Sequence, residues 1–321
     1  MAALRQDLSD AQIIGEAQII GVTNVTVIDA TGAPAQPEMT VLIRGDRITA
    51  LGASRQVSVP PEARVVEGAG KFLIPGLWDM HIHAYDQNWL ALFLANGVTG
   101  VRVMWGEPIH HRWREGIQQG TFLGPRMVIA SKLIDGPDPI WPGSVAVSDE
   151  AGARAAVRQA KNEGADFVKV YSLLPRPAFF ALVDECRKQA ILFAGHVPDA
   201  VTPAEASDAG MRSIEHLTGI TVATSSRAAQ ISAELGRLAH TKETISKRGS
   251  LQLQAAQSYS PEIAQGLFAR FARNQTWQVP TLTVLRSLSR IGDVHHGEDE
   301  RLRYVAPKLA QFWQQRLQDP R

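Results

Sequence analysis

The strongest constraint on this chain is a repeat in its texture. From Phe72 onward, short apolar runs that end in polar residues alternate with helix-like stretches. The strand-like runs fall at 72–77, 99–103, 127–130, 167–170, 191–194, 213–214 and 277–282. Between and after them lie helix-like stretches at 88–95, 109–119, 150–163, 177–189 and 203–209, a long helical region at about 221–260, and a last one at 301–317. Alternating strand and helix predicts a parallel sheet with helical crossovers, and this many repeats predicts an α/β barrel of the (β/α)8 type. The repeat supplies seven strands before the chain stops at Arg321. The expected barrel therefore lacks its eighth strand, leaving strands one and seven with unpaired edges.

Residues before Phe72 read differently. "AQIIGVTNVTVIDATG" is rich in β-branched residues, and "MTVLIRGDRITALG" places two apolar runs around Gly45 and Asp46, as a two-residue hairpin turn requires. The expected organisation is an N-terminal β unit, of small β-sandwich type, over 1–70 and a barrel over 71–321. Two segments exceed ordinary connections, 132–149, rich in Pro and Gly, and the polar helical region at 221–260; each shapes a binding site or is a plain surface insertion.

Composition narrows the partners. At 321 residues and 45% hydrophobic, the chain can bury a substantial core. Its 33 basic and 32 acidic residues nearly cancel, so no net field argues for nucleic acid or an anionic membrane, and a small molecule is the expected partner. The single cysteine, Cys186, reads as a buried small hydrophobe and rules out an intrachain disulfide. The N-terminal "MAALRQDLSDAQIIGEAQII" has acids where a signal peptide would be apolar, which predicts a cytoplasmic protein unless an export signal was removed. Exposed strand edges leave self-association open.

Four histidines and a lysine fall at strand ends. In "PGLWDMHIHAYD", Asp79, His81 and His83 share one face if the strand continues through them, with Asp79 placed to orient the imidazoles. Lys169 interrupts the apolar run of "ADFVKVYS", where it must snorkel, pair or give up its charge. His196 closes the fifth strand in "FAGHVPDA" and His216 the sixth in "SIEHLTG". Any one of these is ordinary, but their coincidence at the C-terminal rim of one barrel predicts a metal site. Tyr171 lies two residues past Lys169 on the same face, placed to meet a substrate or simply to pack. Trp141 in "DPIWPGS" forms a lid wall or anchors its own loop. His110, His111, His240, His295 and His296 read as solvated surface.

Together, the N-terminal β unit, "IPGLWDMHIH", "GVTGVRVM", "GADFVKVYS", "GHV", "IEHLTG" and "VPTLTVLR" resemble the amidohydrolase superfamily, near its imidazolonepropionase-like and prolidase-like binuclear members, over about 18–285. The resemblance implies a TIM-type metal-dependent hydrolase barrel, C-terminally truncated. It also implies two divalent ions, zinc first and manganese, iron or cobalt as alternatives. His81 and His83 would bind one ion and His196 and His216 the other, with Lys169 bridging as a carboxylated lysine. The implied reaction is hydrolysis of C–N bonds in small amides such as dipeptides, N-acyl amino acids or cyclic amides, of a dipeptidase-like or non-classical kind.

Two departures qualify it. The acidic proton shuttle that such enzymes carry at the end of strand eight has no counterpart: Asp293, Glu298, Asp299, Glu300 and Asp319 follow no apolar strand run. Val103 also stands where relatives often have an acid. The alternatives are a non-catalytic, metal-binding pseudo-enzyme and a lactone or phosphotriester hydrolase on the same barrel. The missing acid further predicts weaker metal occupancy at His81 and His83 than at His196 and His216.

Overall fold

The structure is a computed structural model describing residues 18–238, 241–289 and scattered positions between 300 and 315. It divides into two compact units, one ending at Gly76 and one beginning at Leu77.

The first unit is one mixed sheet. Strand β1 (Ile19–Val27) pairs antiparallel with β2 (Gln36–Arg44) and parallel with β4 (Arg64–Glu67) and β5 (Phe72–Leu73), while β3 (Arg47–Ala53) adds to the far side of β2. The β2 to β3 turn is the expected hairpin: Arg44 pairs with Arg47, and Gly45 supplies the left-handed φ of 60° that a side chain would oppose. Val25, Val27 and Val41 are buried on one face of this sheet, so the five strands form a single layer of the kind a sandwich would stack.

The second unit is the predicted alternation. Its strands are β6 (Leu77–Ile82), β7 (Val98–Val103), β8 (Arg126–Asp135), β10 (Phe167–Val170), β11 (Leu192–Gly195), β12 (Ser213–Glu215) and β13 (Trp277–Val279), with the short β9 (Val145–Ala146) beside β8. All pair in parallel, in the order β13-β12-β11-β10-β8-β7-β6. Helices follow most strands, including Leu90–Ala95, Pro108–Gln118, Glu150–Asn162, Arg176–Lys188 and Pro203–Asp208. The long polar region resolves into Ile220–Ala223, Ala228–Leu235 and Lys242–Gln257, and a further helix, Pro261–Asn274, follows it before β13.

Period-two alternation decides what enters the barrel. Val168 and Val170 are fully buried in the core shared with Ala178, Phe179 and Leu182 of the helix Arg176–Lys188. Lys169, between them, is thereby turned to the opposite, inner face. Phe179 alone, at 0% exposure, would cost about 3–5 kcal/mol on truncation to alanine. Likewise Val101 and Val103 pack with Leu90 and Trp113, which turns Arg102 inward.

Among the described residues no ladder joins β13 to β6, so the barrel is open at the predicted seam. Leu77, Trp78, Met80 and Trp277 are exposed along it.

The structure corrects two readings and bears on a third. The run at 72–77 is split: Pro75 and Gly76 break it, Phe72–Leu73 joins the first sheet, and the first barrel strand starts at Leu77. The segment at 132–149 is not all loop, because Leu133 and Ile134 are buried and extend β8 to Asp135. Within 301–317 the described residues open with a 3-10 turn at Glu300–Tyr304 and are helical, as expected, at positions 307, 310, 311 and 315; 306, 308–309, 312–314 and 316–317 lie outside the described residues. His240, His295, His296, Asp293, Glu298, Asp299 and Asp319 also lie outside them. No helix among the described residues is long and apolar enough to cross a membrane.

Candidate metal centre

Three strand ends bring the expected imidazoles together. β6 carries His81, with His83 just past its end, and the centroids of these two rings lie 5.4 Å apart. His216, directly after β12, is 4.4 Å from His81, and His196, directly after β11, is 5.0 Å from His216. The chain is bent to achieve this: His216 and Leu217 both adopt left-handed φ values of 56° and 55°. Neither is a glycine, and such conformations cost of order 1–3 kcal/mol each, a strain typical of functional sites.

Three of the four rings are held by one nitrogen. His81 Nδ1 lies 2.7 Å from Glu215 Oε2, His196 Nδ1 lies 2.8 Å from Ser172 Oγ, and His216 Nδ1 lies 2.6 Å from Thr281 Oγ1. Anchoring at Nδ1 leaves Nε2 for another partner, the arrangement found behind metal-ligating histidines. His81 Nε2 and His83 Nδ1 are indeed buried with no hydrogen-bond partner in the protein.

The electrostatics keep these rings neutral. Burial, reinforced by His81, holds His83 down to about 3 and His216 down to about 4. Burial and nearby Lys169 push His196 well below the usual histidine value, and burial outweighs the Glu215 hydrogen bond to lower His81. A neutral imidazole offers a lone pair, whereas an imidazolium cannot ligate.

Lys169 sits among them at 1% exposure, its main-chain N–H donating to Ser131 Oγ at 3.0 Å. Burial brings its ammonium down to about 7, Glu215 opposing the shift and Arg102 adding to it. The snorkelling reading is therefore wrong: strand alternation turns the side chain into the barrel, away from solvent.

The sequence reading missed two residues beneath the histidines, Arg102 and Glu215. Arg102 Nη2 donates to Glu215 Oε1 at 2.5 Å, Nη1 to Ser213 Oγ at 2.8 Å and Nε to Met80 O at 2.8 Å. Glu215 is 0% exposed; burial pushes its carboxyl up, but His81, Arg102 and Lys169 together bring it below the ordinary carboxylate range. The available signal was an acid and an arginine inside short apolar strands.

Other calls change. Asp79 does not orient an imidazole: its Oδ1 accepts from the main-chain N–H of His81 at 3.1 Å, and Glu215 takes the ring. Tyr171 stacks on His196 with centroids 4.0 Å apart, and its hydroxyl accepts from Trp141 Nε1 at 2.8 Å, so these two aromatics form one unit beside the centre. His110 is not solvated: it is 4% exposed, its Nε2 lies 2.8 Å from Ala84 O, and its Nδ1 accepts from Glu107 N. That pairing satisfies both ring nitrogens and explains the burial. His111 is half-buried beside Arg114.

The residues present fit a metal by donor chemistry: neutral, Nδ1-anchored imidazoles and an orphaned His81 Nε2. Among the described residues, no three His, Cys, Asp or Glu groups already stand in ligating geometry about one point, so the rings are gathered rather than closed. A surface depression of about 580 Å³ lies elsewhere, on the helix layer between Arg154, Phe180 and Asp208, away from these groups.

Comparison with known proteins agrees with this architecture. The chain resembles a provisionally assigned prolidase from Bifidobacterium longum (18% identity, TM-score 0.58, covering 86% of this chain and 79% of that one). It also resembles a bottromycin amidohydrolase (24%, 0.57, 84% and 67%) and molinate hydrolase (19%, 0.58, 95% and 82%). The chain has the fold of these prolidase-like and amidohydrolase proteins. By sequence it is 32% identical over 82 residues to an adenine deaminase from Rubrobacter xylanophilus, a match spanning 26% of this chain and 12% of that protein. No protein-family model matches the chain.

Proposed function

We propose that the chain is a metal-dependent hydrolase of the amidohydrolase superfamily that cleaves C–N bonds in a small amide-like substrate. The observation carrying this reading is the set of four histidines at three strand ends, three of them tied at Nδ1, around a buried lysine. The names of the structural neighbours, which include a Xaa-Pro dipeptidase, support the choice of bond.

In this reading His81 and His83 hold one divalent ion, His196 and His216 hold a second, and Lys169 stands between them. Zinc suits the imidazoles best, with manganese, iron and cobalt as alternatives. When bound, such ions supply Lewis acidity toward a scissile carbonyl and ease the deprotonation of water. The chain's own contribution is to keep the imidazoles neutral, orient them through Glu215, Ser172 and Thr281, and exclude solvent from Lys169. With its pKa near 7, the Lys169 amine is substantially unprotonated at neutral pH, so it can attack carbon dioxide, form an N–C bond and lose a proton to give an anionic carbamate. The Tyr171 and Trp141 pair contacts the substrate beside His196.

The test is a panel of dipeptides, N-acyl amino acids, cyclic amides, lactones and phosphotriesters incubated with the zinc-loaded full chain. Amide hydrolysis lost on chelation and in His196→Ala supports the proposal; turnover of lactones or phosphotriesters alone redirects it to that chemistry. One observation favours a second reading, metal binding without hydrolysis. Glu215 is committed to Arg102, Ser213 and His81, and each Asp135 oxygen already accepts a main-chain N–H, from Leu173 or Ile140, so both carboxylates serve structural partners. Metal uptake with no turnover across the panel would select it.

A further inference from the structure

We infer that Glu215, fixed by Arg102 and Ser213, is a positioning residue that sets the tautomer of His81 and so decides whether its Nε2 can act as a ligand. The donors and acceptors around Glu215 admit one arrangement. Arg102 is a donor only, and its Nη2 claims Glu215 Oε1. Ser213 accepts from Arg102 Nη1, which commits its own hydrogen to the same Oε1 at 2.6 Å. Oε2 is left facing His81 Nδ1 at 2.7 Å. A carboxylate there can only accept, so Nδ1 carries the hydrogen and Nε2 carries the lone pair. The buried, unpartnered Nε2 is what that tautomer leaves behind.

The same arrangement predicts the effect of one isosteric change. In Glu215→Gln, Arg102 and Ser213 still present two donors, so the amide must turn its oxygen toward them. Its NH2 then faces His81, whose Nδ1 becomes an acceptor and whose hydrogen moves to Nε2. The substitution reverses the imidazole without removing it, and Nε2 no longer offers a lone pair to a metal. The metal consequence rests on the proposed function; the tautomer does not.

The experiment is a two-bond 1H–15N correlation spectrum of the metal-free full chain, selectively labelled with 15N-histidine at pH 7.5 and assigned with His81→Gln. The wild type should show His81 protonated at Nδ1 and bare at Nε2, and Glu215→Gln should show the reverse. A wild-type His81 protonated at Nε2, or a folded Glu215→Gln chain that keeps Nδ1–H, would overturn the inference. The wild-type spectrum decides alone if the variant does not fold. Zinc titration separates the two claims: Glu215→Gln should bind about 10–100-fold more weakly. Equal affinity overturns the positioning role, whereas a wild type that binds no zinc overturns the proposed function and leaves the tautomer to the spectrum.

Discussion

His216 and Thr281 meet across the β12 to β13 edge, Nδ1 to Oγ1 at 2.6 Å, although both hold left-handed φ values of 56° and 49°. Two strained residues sharing one short hydrogen bond indicate that the bond helps to fix the bend. Thr281→Val keeps the shape and removes the oxygen. We expect zinc affinity to fall about 10-fold with little loss of thermal stability, read by competition with a chromogenic chelator and by calorimetry. Unchanged affinity would show that the bond does not orient His216.

Gly195 precedes His196 with φ of 138°, and a Cβ there would lie 2.2 Å from Val170 O. The strand pairing that brings His196 beside Lys169 therefore depends on the missing side chain. Gly195→Ala should destabilise the chain by roughly 2 kcal/mol or more in urea unfolding, since backbone strain and a main-chain clash act together. A change below about 0.5 kcal/mol, the level of a neutral surface substitution, would contradict this packing.

Burying Lys169 carries a pH signature in the metal-free protein. Its folded value near 7 lies below its unfolded value of 10.5, so the unfolded chain holds the extra proton between them. Stability from this group therefore rises as pH climbs from about 7 toward 10.5 and is lost below that window. Lys169→Met should raise the metal-free Tm at neutral pH and flatten the slope between pH 7 and 10. A steeper slope, or a fall in Tm, would place the amine in contact with solvent.

Glu205 shows the opposite sign. Its hydrogen bonds with Arg176 at 2.5 and 3.1 Å, and then with Thr202, bring its carboxyl down to about 2 from 4.5. The folded value is depressed, so its contribution is present above about 4.5 and lost as pH falls toward 2. Glu205 also closes the capping box of the helix Pro203–Asp208, with Thr202 N and Glu205 N each paired. Glu205→Gln should remove part of the acid-side fall in Tm between pH 5 and 3 while leaving metal uptake unchanged.

How far the sequence could be read follows from the range of its interactions. Lys169 was legible because strand alternation is local: valines on either side faced the helices, and a polar residue between them had to face inward. The left-handed bend at His216 was not, because neither His216 nor Leu217 is a residue that announces it. Glu215 and Arg102 were silent for another reason: their partners lie far away in the chain, Glu215 being 134 residues from His81 and 113 from Arg102. His110 was misread as surface for the same cause, since Ala84 O, which buries it, lies 26 residues earlier. Asp79 was the reverse error: two-residue spacing to His81 is real, but it serves the main chain rather than the ring.

The gathered histidines and Lys169 are expected to hold metal. Equilibrium dialysis of the full chain against zinc at pH 7.5, with metal counted per chain, tests this most directly. We predict about two zinc ions per wild-type chain, a loss of about one in His81→Ala and in His196→Ala separately, and a further loss when both are combined. Uptake of no zinc by the wild type, or uptake unchanged in both variants, would contradict the account.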